Sequence, residues 1–385
     1  MITRIEAKQY RSFRTLNQSL GPLHILVGPN GSGKSVFMDV IAFLRDFVSN
    51  GLEAAVSERT ENFQDLVWGR SGTCFELSIE ALISEEESAE FSNPHNRTIR
   101  YELVFNIDSL SDTLAVTKET LILDPDQPSS PYVVNRTVAN VQLQVEDRHM
   151  ASERLSVGGN YSALVHLDKS QYPASVWLRE LLQVRTRTVV LDNKLLRAPS
   201  APAKASWNVL DGSNLARLVF QLQTESPQSF DRWVEHIRTA LPDLVTIRTV
   251  LRPEDRHRYI MLRYRGEVEA PSWVVSDGTL RLLALTILAY LPSSKGIYLV
   301  EEPENGVHPT ALETIYQSLS SVYDGQVFVT SHSPVLLNLP KLQELLCFQK
   351  TDEGSRIIRG DEHPALRDWK RDVSMSDLFA AGVLG

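Results

Sequence analysis

Cysteine is scarce in this chain: 385 residues hold two, Cys74 and Cys347, far apart and outside any CxxC pair. That spacing excludes a disulfide framework and a zinc site of paired cysteines, and a reducing compartment is the natural setting. Long apolar runs are missing as well. The longest, Leu282 to Leu291, falls well short of the roughly 20 residues that span a bilayer. The opening MITRIEAKQY has no apolar core of the signal-peptide kind. A cytoplasmic protein without a membrane partner is therefore expected. Positive charge is not in excess either. The net charge is -9 and the isoelectric point about 5.6, which argues against a surface devoted to nucleic acid but leaves room for a local basic patch.

What is present is ordinary for a globular protein: 42% hydrophobic and 23% charged residues, enough for one large domain or two modest ones. A strand, a turn at Arg11-Ser12-Phe13 and a second strand, Leu23–Val27, open the chain, followed by a glycine-rich loop and a helix from about Lys34 to Val48. Between Cys74 and Val145 the pattern changes to alternating, β-branched runs: Cys74–Leu82, Thr98–Ile107, Leu114–Leu123 and Tyr132–Val145. They predict an antiparallel sheet with hairpins. Glu85-Glu86-Glu87 reads as a solvated connecting loop. Helical spacing predicts helices over Ala174–Leu182, Asn214–Gln223 and Phe230–Ala240. Strands Val245–Leu251 and Tyr259–Tyr264 come next. The last third then alternates: helix Thr279–Tyr290, strand Ile297–Val300, helix Pro309–Val322, strand Gln326–Thr330, helix Pro334–Leu339. Such alternation implies parallel strands covered by helices. Ala198 to Ala205, rich in Ala, Pro and Ser, is the best linker candidate. No internal repeat is visible.

Gly28-Pro29-Asn30-Gly31-Ser32-Gly33-Lys34-Ser35 matches GxxxxGK[ST], follows an apolar strand and opens a helix. Its glycines let backbone N–H groups turn inward around a β-phosphate, and the helix N-terminus adds positive potential. Lys34 is expected between the β- and γ-phosphates, and the Ser35 hydroxyl on Mg²⁺. Ile297-Tyr298-Leu299-Val300-Glu301-Glu302 reads as a buried strand ending in two carboxylates. Glu301 is expected to hold the metal through water, and Glu302 to polarise an attacking water. Val327 to His332 is another apolar strand, placing His332 where it can hydrogen-bond a γ-phosphate. Ser276-Asp277-Gly278-Thr279-Leu280-Arg281 opens a helix: a hydroxyl, a glycine N–H and a helix N-terminus together make an anion site, although Ser-Asp-Gly also makes an ordinary N-cap. Arg263 and Arg265 are read on one strand face, with Arg256 and Arg258 just upstream. This is a candidate DNA surface beside the plainer reading of a solvated face.

GPNGSGKS, SDGTLR, YLVEEPENGVHP and VTSHSP, in that order, resemble the RecF/SMC/OLD-related ABC-type ATPases, and more narrowly their stand-alone bacterial members without a coiled-coil arm. Asp211-Gly212-Ser213-Asn214-Leu215 and Tyr10-Arg11-Ser12-Phe13 fit the group as well. The resemblance implies an α/β fold of the P-loop NTPase, ABC-ATPase type: a mostly parallel core sheet flanked by helices, with an antiparallel β-rich lobe. Residues 1–70 and 205–385 would form the nucleotide-binding core, and 71–200 an insertion lobe. It implies ATP binding through Gly28, Pro29, Asn30, Gly31, Ser32, Gly33, Lys34, Ser35 and Val36, with Arg11 and Gln64 nearby. Mg²⁺ would sit at Ser35, Gln64 and Glu301, with Glu302 as catalytic glutamate and His332 as switch histidine. Asn305 falls in the D-loop. Ser276, Asp277, Gly278 and Thr279 would reach ATP held by a second subunit, which implies a homodimer or higher homo-oligomer. Glu301 stands where the family carries an aspartate, one methylene shorter. No TOPRIM nuclease domain is expected after the histidine strand, so a separately encoded nuclease or effector is the implied partner, with DNA as a further candidate. ATP hydrolysis coupled to dimer opening and closing, in DNA maintenance or phage defence, is one expectation. An ATP-gated scaffold with slow turnover is the other. A transporter subunit is disfavoured, since the signature is SDGTLR rather than LSGGQ.

Overall fold

The computed structural model describes residues 1–385 apart from 90, 92–96, 109–112, 128–129, 131, 139, 147–151, 156–157, 203–208, 292–294, 368–373 and 385. Strands are β1 (Ile2–Tyr10), β2 (Phe13–Ser19), β3 (Leu23–Val27), β4 (Cys74–Leu82), β5 (Thr98–Asp108), β6 (Thr113–Leu123), β7 (Tyr132–Thr137), β8 (Val141–Gln144), β9 (Ser152–Leu155), β10 (Thr186–Val189), β11 (Val209–Leu210), β12 (Leu244–Leu251), β13 (Arg258–Tyr264), β14 (Glu269–Pro271), β15 (Gly296–Glu301), β16 (Gly325–Thr330), β17 (Leu345–Thr351) and β18 (Gly354–Arg359). The longer helices are α1 (Lys34–Asn50), α2 (Pro173–Gln183), α3 (Leu215–Glu225), α4 (Pro227–Arg238), α5 (Asp277–Thr286) and α6 (Pro309–Ser320).

These strands make three sheets. The seven-stranded sheet runs β11-β10-β15-β16-β3-β17-β18 and is parallel except for β18. The eight-stranded sheet, β2-β1-β4-β5-β6-β7-β8-β9, is antiparallel throughout. A small sheet β12-β13-β14 stands apart. The predicted mostly parallel core with an antiparallel lobe is therefore what forms.

The two-residue strand period sorts the core strands' side chains onto two faces. Ile297 and Leu299 of β15, with Phe328 of β16, join the apolar core shared with α1 and the antiparallel sheet. Tyr298, Val300, Val327 and Val329 join the core shared with α3 to α6. Both faces are apolar because helices or a second sheet cover both, as parallel sheets require. Helix α1 is the central piece. Phe43 and Phe47 stack edge-on against Phe105 at 5.1 and 5.0 Å, Phe43 against Phe75 at 5.4 Å, and Phe37 against Phe348 at 5.8 Å. Held from both sides, α1 presents its N-terminus rigidly at the end of β3.

The sequence reading placed no strand at β2, β9, β10, β11, β14, β17 or β18, and other details depart from it as well. Tyr132–Val145 is two strands, not one: β7 and β8 pair antiparallel. Glu85–Ser88 is a single helical turn capped by Ser84, and its acids are engaged: Glu87 pairs with Arg185 and Glu86 with Lys295 at 3.0 Å. The linker candidate 198–205 is anchored where it is described. Ser200 is 1% exposed and exchanges two backbone hydrogen bonds with Arg258, at 2.7 and 3.0 Å; 203–205 lie outside the described residues. Arg265 falls in the turn after β13 rather than on the face of Arg263, because Gly266 and Glu267 both take left-handed backbone there. No helix among the described residues is long and apolar enough to cross a membrane.

Candidate active site

The phosphate loop joins β3 to α1. Gly28 and Gly33 have φ of 148° and 102°, values that L side chains rarely adopt. Space forbids a side chain too. A Cβ on Gly28 would lie 2.4 Å from the Phe348 carbonyl oxygen, and one on Gly33 2.6 Å from Ser355 Oγ and 2.8 Å from Ser12 Oγ. Gly33 also cannot cap α1 with a side chain, so the first-turn N–H groups stay available.

Lys34 is 7% exposed and donates to the carbonyl oxygens of Gly28 at 2.7 Å and Pro29 at 3.0 Å. Burial lowers its pKa, and the nearby Glu302 opposes that shift. The ammonium is thus parked on two neutral oxygens of its own loop, which an anion can outbid. Two hydroxyls close by, Ser12 Oγ and Ser32 Oγ, are buried with no partner. A buried polar atom left unpaired costs about 1–3 kcal/mol. Two of them beside a glycine cradle and a buried cation fit a phosphate ligand.

An open cleft of roughly 190 Å³ is lined by Ser12, Asn30, Lys34, Ser35, Glu302 and His332, among others. Glu302 gets there by a strained turn. Its φ is 42°, unusual for a residue with a side chain and costing on the order of 1–3 kcal/mol. Its N–H donates to Thr330 O at 3.0 Å, tying the turn to the end of β16, and Asn305 Nδ2 donates to its Oε2 at 2.7 Å. His332 Nε2 stands 3.8 Å from Glu302 Oε1.

The position of His332 depends on a residue to which the sequence reading gave no role. Glu304 Oε1 accepts from Ser331 Oγ at 2.8 Å, His332 N at 2.6 Å and Ser333 N at 3.0 Å. One carboxylate oxygen thus ties the turn after β15 to the turn after β16. Its place within Pro303-Glu304-Asn305 was the only signal in the sequence, since the partners lie 27 to 29 residues on.

Glu301 and Ser35 line a second, adjoining cavity of roughly 330 Å³ with Arg11, Val36 and Asp39. Although Glu301 reaches solvent, burial of its carboxyl raises its pKa, helped by the charges of Glu302 and Asp39. Arg11 does not reach freely into this space. It pairs with Asp39 at 2.8 Å, and Tyr10 Oη and Arg59 Nε donate to the same carboxylate at 2.7 and 2.6 Å. Gln64 is exposed on the turn Phe63–Leu66 and lines neither cavity.

Ser276 to Thr279 lie elsewhere on the surface. Ser276 is exposed and caps α5, accepting from Thr279 N at 3.3 Å. Asp277 pairs with Arg197 at 2.7 Å and accepts from Asn193 at 3.1 Å. Gly278 is pressed against the loop after Asn305: a Cβ there would sit 2.7 Å from the Gly306 carbonyl oxygen. None of the four lines either cavity.

With this geometry established, the similarities to known proteins are specific. The OLD nuclease of Thermus scotoductus is 21% identical over 422 residues, spanning 98% of this chain and 68% of its own length. The fold matches an Smc head bound to the C-terminal winged-helix domain of ScpA, with a TM-score of 0.57, 14% identity, and coverage of 93% of this chain and 97% of that one. It also matches an Smc head with an extended coiled coil bound to the C-terminal domain of ScpA from Pyrococcus furiosus, with a TM-score of 0.53, 14% identity, and coverage of 93% and 95%. A family model described as "AAA domain, putative AbiEii toxin, Type IV TA system" matches residues 23–338, from the strand before the phosphate loop to just past the histidine strand. The chain belongs to that AAA-domain family.

Proposed function

We propose that this chain binds ATP at the phosphate loop and hydrolyses it, two copies closing on two nucleotides and reopening after turnover. The observation that carries this reading is the strained turn at Glu302, which sets a carboxylate, held by Asn305, on the same wall as His332 in the cleft that holds Lys34. Strain kept at one residue of a phosphate site is what a catalytic position requires.

The Gly28 to Val36 segment would hold the phosphates through backbone N–H groups, Lys34 exchanging its two carbonyl partners for phosphate oxygens. Glu302 would accept a proton from the attacking water, and His332 would donate to the γ-phosphate. Magnesium would be held by Ser35 and Glu301 and would supply charge neutralisation at the phosphate oxygens; Gln64, which lines neither cavity, would have to move to join them. The core would comprise 1–70 and 205–385, with 71–200 as a lobe that lends β10 to the parallel sheet.

The separation of Ser276–Thr279 from both cavities supports a shared site, completed by the second copy. ATP would then be part of the interface, and ADP would not support closure. Kinship with an OLD nuclease, and a family described by a putative toxin, support a role in phage defence or DNA maintenance beside a separately encoded effector. The intact Glu302 favours an ATPase over a slow ATP-gated scaffold.

The test is Glu302→Gln. It keeps the size and the Asn305 contact but removes the base. Turnover is expected to fall by about 10²–10⁴-fold with ATP affinity retained, and the closed dimer should accumulate in light scattering with ATP but not ADP. Hydrolysis at the wild-type rate would place the base elsewhere.

A further inference from the structure

On the side of the molecule that carries the small sheet β12–β14, a pocket of about 460 Å³ is walled by Ser200, Ala201 and Pro202, by α3 and by the turn between β12 and β13. Its arginines set it apart. Elsewhere on that sheet each arginine has a carboxylate: Arg248 with Glu269 at 2.8 Å, Arg252 with Asp255 at 3.1 Å, Arg263 with Glu267 at 3.7 Å and Arg265 with Asp243 at 4.0 Å. Arg256 and Arg258, which line the pocket, pair with no carboxylate among the described residues. The Arg258 guanidinium carbon sits over the Phe220 ring, 3.6 Å from its centroid, and the side chain donates to Thr249 Oγ1 at 3.1 Å. Two backbone hydrogen bonds to Ser200 fix its place. Glu225, also on the wall, is engaged by Gln221 at 2.9 Å.

The pocket also holds two unsatisfied polar atoms. Asn214 is 5% exposed and Ser200 1% exposed, and neither Asn214 Nδ2 nor Ser200 Oγ has a partner among the described residues. Asn214 opens α3 without its side chain bonding the helix, so its amide is free for something else. An unpaired amide donor, an unpaired hydroxyl and two guanidinium groups without counter-charge share one ligand chemistry. All four donate hydrogen bonds, and the pair of cations selects an anion with several oxygens. The guanidinium over the Phe220 ring adds a surface for a planar ring. We infer that this pocket, remote from the phosphate loop in sequence and sharing no lining residue with it, is a second site, for a phosphate-bearing ligand of nucleotide size. The source is either a free nucleotide or a nucleotide within a single strand.

The test uses the full chain carrying Lys34→Ala, so that the phosphate loop does not compete. Calorimetry is run with inorganic pyrophosphate, AMP and a short single-stranded oligothymidylate. At least one probe should bind. Arg256→Glu, at an exposed position, and Asn214→Asp, which puts a carboxylate in place of the free amide, should each weaken it by about tenfold or more. Arg252→Glu, exposed and already paired with Asp255, should change it less than about twofold. Preference for AMP identifies the free nucleotide; preference for the oligonucleotide, with a steep dependence on salt, identifies the strand. Should Asn214→Asp fail to fold, Arg256→Glu against Arg252→Glu decides alone. Binding of none of the probes overturns the site, as does equal loss in Arg256→Glu and Arg252→Glu.

Discussion

The N-terminus of α1 and the N-terminus of α5 are both glycine-bearing helix starts aimed at anions, and they are finished in opposite ways. At α1 the capping residue is Gly33, which offers no side-chain acceptor, and Ser12, Ser355 and Phe348 wall the loop in. Its free N–H groups, its buried lysine and its two orphan hydroxyls wait for a ligand within one chain. At α5 the serine caps its own helix, Asp277 is held by Arg197 and Asn193, and Ser276 faces solvent. A serine cap is worth only about 0.5–2 kcal/mol, less than the charge-assisted bonds a phosphate would offer. On the proposed reading the first site binds within one chain and the second is recruited by a partner at small cost. Gly278 against Gly306 puts that helix start one backbone contact from the Glu302–Asn305 turn, so in the proposed shared site its capture would be felt at the Glu302 carboxylate.

The sharpest way to break the comparison is Lys34→Ala. Losing the only lysine of the phosphate loop should weaken ATP by about 10²-fold or more, with the thermal unfolding of the free chain little changed. Equal affinity by calorimetry would remove α1 from the site. Next comes mixing. A Lys34→Ala chain and a Ser276→Arg chain, each inactive, should recover about one working site per heterodimer. Heterodimers that form without ATPase activity would mean that the two helix ends do not share a nucleotide.

Glu304→Ala asks whether the α1 side works through the turn after β16. It unties Ser331, His332 and Ser333 together, and kcat should fall by roughly 10–10²-fold while the KM for ATP moves much less. A change confined to KM would make Glu304 a scaffold residue only.

The smallest effect concerns pH. The Glu301 pKa is raised by burial and by Glu302 and Asp39, so this carboxyl takes up its proton at a higher pH than an ordinary glutamate. Only the ionised form holds a cation. The Mg²⁺ needed for half-maximal ATPase should therefore rise as the pH falls, approaching about tenfold per pH unit below that pKa. Glu301→Gln should flatten this dependence; an unchanged slope would show that Glu301 is not on the metal.

The chain by itself determined the phosphate loop, the order of the motifs and most element ranges, down to the full extent of β4 at Cys74–Leu82. These are local properties: a two- or 3.6-residue period, a glycine where φ is positive, and a proline at a helix start. Only the tertiary structure decided which strands share a sheet. Thr186–Val189 pairs with Ile297–Val300, and Leu345–Cys347 with Ile25–Val27, neighbours that no local period encodes. The same holds for Glu304, whose three donors come from the other side of α6, and for Arg258, which meets Phe220 across the chain. Short-range sterics are written residue by residue, whereas a hydrogen bond or an unpaired charge exists only once distant segments have been packed together.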